Sequence, residues 1–125
     1  MKVKDCRIDN HYVAISPSQS VSEIVGQVRN NNFAVVCDEG KPVGILTTED
    51  IVARLLVAKK DQNTTKVKDI MSSPVKTASM NDDLNLVSEM MVKENFLSLP
   101  VVDEDGNLAG IVTVYDVIAK LRGKI

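Results

Sequence analysis

What most limits the folds open to this chain is that it repeats itself. Val35-Val36 recurs as Val101-Val102, Gly44-Ile45 as Gly110-Ile111, Thr47 as Thr113 and Asp50 as Asp116, always 66 positions later. Nearer the start of each copy the spacing drifts: Val3-Lys4-Asp5 returns as Val67-Lys68-Asp69 after 64 positions, and Val21 as Leu84 after 63. Constant offsets broken by small length changes are the mark of duplicated units with loop insertions. One structural unit must therefore suit both halves.

Each copy reads in the same order. A short extended stretch, Tyr12 to Ile15 or Val75 to Thr77, leads into a turn. A helix follows, with apolar residues at 3.6 spacing: Val21, Ile24, Val25 and Val28, then Leu84, Val87, Met90 and Met91 in the second copy. Strands at Phe33 to Cys37 and Leu99 to Asp103 run into the turns Asp38-Glu39-Gly40-Lys41 and Glu104-Asp105-Gly106-Asn107, which predict hairpins. Val43 to Leu46 and Ala109 to Val112 give the return strands. A last helix starts near Thr48 or Val114 and carries Ile51, Val52 and Leu55, or Val117, Ile118 and Leu121. The order is β-α-β-β-α, twice, an α+β fold. A copy of about 55 to 60 residues without disulfide or metal has little apolar surface of its own, so the two are expected to pack sheet to sheet as one pseudo-symmetric module. The division expected is 1–57 for the first repeat, 58–66 for a polar, solvated linker and 67–125 for the second repeat.

Composition removes several function classes. Among 125 residues, 15 basic side chains face 17 acidic ones, a net charge of -2 that offers nucleic acid no basic stripe. No apolar run approaches the roughly 20 residues that span a bilayer. The first residues lead into no apolar signal segment, so the expected compartment is the cytoplasm. Cys6, Cys37 and the single His11 form no zinc-type constellation, and the thiols are expected free and buried. His11 reads as a turn or surface residue, the methionines 71, 80, 90 and 91 as core filling or a dimer face, and Arg54, Lys120 and Arg122 as solvated charges. With no G-x-S-x-G or H-E-x-x-H motif, nothing supplies a nucleophile and base, and no enzyme is expected.

Both copies carry glycine, two aliphatics, threonine, two variable residues and aspartate: Gly44-Ile45-Leu46-Thr47-Thr48-Glu49-Asp50 and Gly110-Ile111-Val112-Thr113-Val114-Tyr115-Asp116. One reading is structural, since Thr-x-x-Asp ahead of a helix resembles a capping box. The other is functional. A helix start offers unpaired N–H groups, a threonine hydroxyl can bond a phosphate oxygen, and a carboxylate is acceptor-only, suited to vicinal ribose hydroxyls.

Those paired elements, with Val67-Lys68-Asp69-Ile70-Met71-Ser72-Ser73-Pro74 and Leu99-Pro100-Val101-Val102-Asp103, resemble a tandem pair of CBS domains, the Bateman module, nearly end to end. The resemblance implies a homodimeric regulatory module with two clefts between the repeats that take adenosyl ligands: AMP, ADP, ATP or S-adenosylmethionine. By that likeness Asp50 and Asp116 take the ribose hydroxyls, and Thr47 and Thr113 face the phosphates. Thr77 borders the adenine, and Gly44, Ile45, Gly110, Ile111 and Tyr115 line the clefts, with Tyr115 either closing the second cleft or simply packing. No cofactor or metal is implied beyond the regulatory ligand, and any regulated partner protein is unknown. The alternative is a scaffold that acts through protein contacts with its clefts empty. Family members often carry a basic residue just before the central strand; here those positions read Asn30-Asn31-Asn32 and Phe96-Leu97-Ser98. Thr77 is matched by Ala14 in the first copy, so the two sites differ, and the Asp116 site is expected to be the better formed.

Overall fold

The β-branched runs of each repeat form the middle of a three-stranded sheet in the computed structural model, which describes residues 1–31 and 33–123. In the first, β2 (Phe33–Asp38) lies between β1 (Ala14–Ile15), parallel to it, and β3 (Lys41–Thr47), antiparallel. Register places Val35 opposite Ile45 and Val36 opposite Gly44, with a bulge after Val36. The second sheet repeats the order with β4 (Ala78–Ser79), β5 (Ser98–Val102) and β6 (Leu108–Thr113), placing Val101 opposite Gly110. The two hairpins close differently. Glu39 and Gly40, at φ 51° and 83°, make a two-residue turn whose double positive φ suits the twist of a hairpin. The other loop is longer, and the Asp103 carboxylate organises it by accepting from the backbone of Asp105 at 2.9 Å and Asn107 at 3.0 Å.

Helices supply the apolar cover. α1 (Val21–Asn31) buries Val21, Ile24 and Val28 against Leu46, Ile51, Leu55, Val67 and Ile70. α4 (Leu84–Glu94) buries Leu84, Val87 and Met91 against Val3, Leu99, Val101, Val112 and Val117. Burying each such side chain contributes about 1.5 to 3 kcal/mol. The final helices depart from their expected inner faces. α5 (Val114–Arg122) buries Val117 but leaves Ile118 and Leu121 exposed. The equivalent α2 (Thr48–Ile51) runs into a π-helical turn, Val52–Leu56, that leaves Val52 exposed.

Repeats in sequence and compact units in space are divided differently. One unit joins Met1–His11 to Lys76–Ile125, and the other is Tyr12–Val75. The opening segment of each repeat is thus built into the unit of the other. It contains a helical turn, Val3–Asp5 or α3 (Val67–Ile70), too short for periodicity to announce. The exchange has a hydrogen-bonding reason: a helix start needs acceptors for its first N–H groups. Leu84 N–H donates to the Met1 carbonyl at 2.9 Å, and Val21 N–H donates to the Thr65 carbonyl at 3.0 Å. The 58–66 stretch, expected to be a solvated link, is exposed except at the buried Thr65, and lies within the Tyr12–Val75 unit.

Candidate functional site

Both Gly-h-h-Thr-x-x-Asp elements lie where a strand passes directly into a helix, β3 into α2 and β6 into α5. The capping reading holds at both. Thr113 Oγ1 accepts from Asp116 N–H at 3.2 Å, and Asp116 Oδ2 accepts from Thr113 N–H at 3.0 Å and from its hydroxyl at 2.8 Å. Thr47 and Asp50 make the same set at 3.0 to 3.1 Å. This sets a limit on the expected threonine role. A hydroxyl has one proton, and each threonine donates it to its own aspartate, so in this geometry neither offers it to a phosphate.

The glycines are explained by close approach. A methyl on Gly110 would stand 2.8 Å from the Asp9 carbonyl oxygen, and one on Gly44 would stand 3.0 Å from that of Ser72. The opening segments cross the strands at these points. There Ile111 exchanges two backbone hydrogen bonds with Asp9, at 2.8 and 2.9 Å, and Ile45 exchanges two with Ser72, at 3.0 and 2.9 Å. Gly44, Ile45, Gly110 and Ile111, expected to line a ligand cleft, seat these segments.

The two aspartates then part company at their second oxygens. Asp50, only 8% exposed, receives the Ser72 hydroxyl on Oδ1 at 2.9 Å. Asp116 has Arg7 Nη1 at 4.0 Å from Oδ1, a loose pairing to a guanidinium that is 77% exposed. The cause is a difference in the opening segments: Arg7 and Ile8 separate Cys6 from Asp9, whereas Met71 directly precedes Ser72. Arg7 has no counterpart in the other unit.

Asp116, Arg7, Lys120 and Tyr115 line an open cavity of about 540 Å³ with Cys6 at its wall. Asp116 and Lys120 share a face of α5 through their i, i+4 spacing. Tyr115, 69% exposed, borders the cavity rather than filling a core. Burial, and secondarily the Asp116 charge, push the Cys6 thiol above its ordinary range, so it is a protonated wall of the site. Thr77 is half-buried just ahead of β4, in the same unit as Asp116; the strand expected to start at Val75 starts three residues later, at Ala78. Glu49, in the first turn of α2, is exposed. Of the Asn30-Asn31-Asn32 stretch, Asn32 lies outside the described residues. Arg54, expected to be solvated, donates to the carbonyls of Met71 at 2.8 Å and Ile70 at 3.3 Å. His11 is exposed beside Asp9. Among the described residues no His, Cys, Asp and Glu gather as a metal group, and no helix is long and apolar enough to cross a membrane. Arg7 and Lys120 are the site residues that sequence reasoning missed; the drift in repeat spacing from 64 to 63 was the one visible trace of Arg7.

The sequence model of the CBS domain family matches residues 3–57 and 67–123. An uncharacterised protein of Methanopyrus kandleri is 32% identical over 106 residues, covering 82% of this chain and 54% of its own length. The chain thus spans about half the length of that relative. A CBS domain pair solved in complex with 5′-methylthioadenosine and S-adenosyl-L-methionine is 32% identical, with a TM-score of 0.73 over 98% of this chain and 96% of that one. The cytosolic domain of the Mg2+ channel MgtE, solved with ATP, is also 32% identical with a TM-score of 0.73, over 87% of this chain and 44% of that one.

Proposed function

This chain belongs to the CBS domain family, and we propose that within it the chain is a regulatory module, not a catalyst, that binds an adenosyl ligand at Asp116. The observation that carries this reading is the division of labour within one carboxylate. Asp116 Oδ2 is committed to the helix cap, while Oδ1 has only a loose guanidinium neighbour, and both groups line the cavity. An acceptor so placed takes ribose hydroxyls. Arg7 and Lys120, both lining the cavity, stand ready for the anionic end of the ligand. Thr113 positions Asp116, and Thr77 borders the base. The ligand chemistry follows two relatives at 32% identity, one holding 5′-methylthioadenosine and S-adenosylmethionine and one holding ATP. Output runs through association, as a cytoplasmic homodimer that meets an unidentified regulated protein. The exposed Tyr115, Ile118 and Leu121 of α5 provide an apolar face for such contacts.

The test is a thermal-shift and calorimetric panel with AMP, ADP, ATP, S-adenosylmethionine and adenosine on the wild type and Asp116→Asn. Asparagine keeps an oxygen for the Thr113 cap, removes the charge and puts an N–H donor in place of the outer acceptor. A ligand at 100 times its Kd stabilises the fold by about 2.7 kcal/mol, and Asp116→Asn should abolish that gain. No shift with any ligand at millimolar concentration would replace this reading with the scaffold.

A further inference from the structure

We infer that Ser72 closes Asp50 from within, so that the chain takes one adenosyl ligand rather than two; this rests on the Asp116 reading above. Asp50 accepts three donors from its own unit: the Thr47 N–H and hydroxyl on Oδ2, both at 3.0 Å, and the Ser72 hydroxyl on Oδ1 at 2.9 Å. The serine stands where a ribose hydroxyl would donate. It is also held there. Its backbone N–H and carbonyl both pair with Ile45, and Arg54 grips the two preceding carbonyls, of Ile70 and Met71. A diol at Asp50 would have to displace a preset, charge-assisted hydrogen bond, which weakens binding about tenfold or more.

The other unit cannot close itself in this way. Asp9 occupies the bridging position there, paired through its backbone to Ile111 as Ser72 is to Ile45. A carboxylate has no proton to donate, and the Asp9 side chain turns to accept from His11 N–H at 2.8 Å. One residue at equivalent crossings, serine or aspartate, thus decides whether the duplicated aspartate is satisfied internally or left to a ligand. Ser72 is a positioning residue that sets occupancy.

Calorimetry on the full chain with AMP and adenosine reads this as stoichiometry. Wild type should bind one ligand per chain, and Asp116→Asn none. Ser72→Ala should add a second binding event, bringing the count to two, while Ser72→Thr, which keeps the hydroxyl, stays at one. In the Asp116→Asn background, which has no site, Ser72→Ala should restore a single one, and where alanine is not tolerated Ser72→Cys, of similar volume and only a weak donor, gives the same answer. Two sites of similar affinity in the wild type, or no gain at the second site in Ser72→Ala, would overturn the inference and leave the Asp116 reading standing. No binding by the wild type would remove both.

Discussion

Replacing Gly110 by alanine tests the link between the duplicated glycines and the opening segments. The added methyl would lie 2.5 Å from Ile8 Cγ2 and 2.8 Å from the Asp9 carbonyl oxygen. Neither neighbour yields easily: Ile8 is β-branched and stiff at χ1, and the Asp9 carbonyl is bonded to Ile111 N–H at 2.8 Å. Relief requires residues 8 and 9 to lift from β6, straining or breaking the pair of backbone bonds between Asp9 and Ile111. Overpacking costs about 1 to 3 kcal/mol, and each lost backbone bond about 1 kcal/mol. Against this stands a gain of about 0.5 to 1 kcal/mol from restricting the unfolded chain. The expected net loss is about 2 to 3 kcal/mol.

Gly44→Ala is the internal control. Its methyl would meet Met71 Sδ at 2.7 Å and the Ser72 carbonyl at 3.0 Å. A methionine side chain has three rotatable bonds and can move aside, and the Ser72 carbonyl at 3.0 Å need give only slightly, so the loss should be smaller than for Gly110→Ala, about 1 kcal/mol. With no tryptophan in the chain, urea unfolding is followed by far-ultraviolet circular dichroism, and hydrogen exchange reads the Ile111 amide. Equal losses for the two variants, or a Gly110→Ala chain whose Ile111 amide stays protected, would refute the close-approach argument.

Two further outcomes follow from local chemistry. Gly26 lies within α1, and a methyl there would meet no atom within 4 Å; Gly26→Ala should stabilise by about 0.5 to 1 kcal/mol, visible as a rise in the urea midpoint. Cys6 is pushed up first by burial and then by Asp116, whereas Cys37 is pushed up by burial alone. Asp116→Asn should therefore speed iodoacetamide labelling of Cys6 at pH 8 and leave Cys37 unchanged, and equal acceleration of both would indicate general loosening. The same upward shift means that the folded state holds these protons more tightly than the unfolded one, so their stabilising effect is present below the ordinary thiol range and is lost as pH rises through it toward the raised values.

The elements were legible because most of them advertise a period. The buried Val21, Ile24 and Val28 recur at helical spacing, and the central strands are nearly continuous apolar runs bounded by Gly-containing turns. What stayed hidden has no period. Val3–Asp5 and Val67–Ile70 span a single turn each, and their docking depends on backbone groups, as when Lys4 N–H donates to the Met80 carbonyl and Val67 N–H to that of Gln19. Side-chain identity says nothing about such bonds. The start of β4 at Ala78 is fixed by its parallel register with Val101, a long-range pairing that a three-residue stretch cannot disclose. Arg54 is exposed, as its place on the final helix suggested, but its partners were hidden because they are carbonyls, and carbonyls leave no mark in a sequence.

Capping and ligand binding compete as explanations of Thr-x-x-Asp only while the carboxylate is treated as one acceptor. It has two oxygens. The backbone of a strand-to-helix junction uses one of them, and duplication preserves that use because Thr47 and Thr113 face the same geometric demand. The second oxygen is governed by a different stretch of chain, the segment that crosses the strand at the glycine. That segment has diverged: Ser72 carries a proton to donate, whereas Asp9 carries none and is preceded by Arg7 and Ile8. A repeated motif therefore guarantees a repeated cap and nothing more. What meets the second oxygen is set outside the motif, some 20 residues after one aspartate and more than 100 before the other.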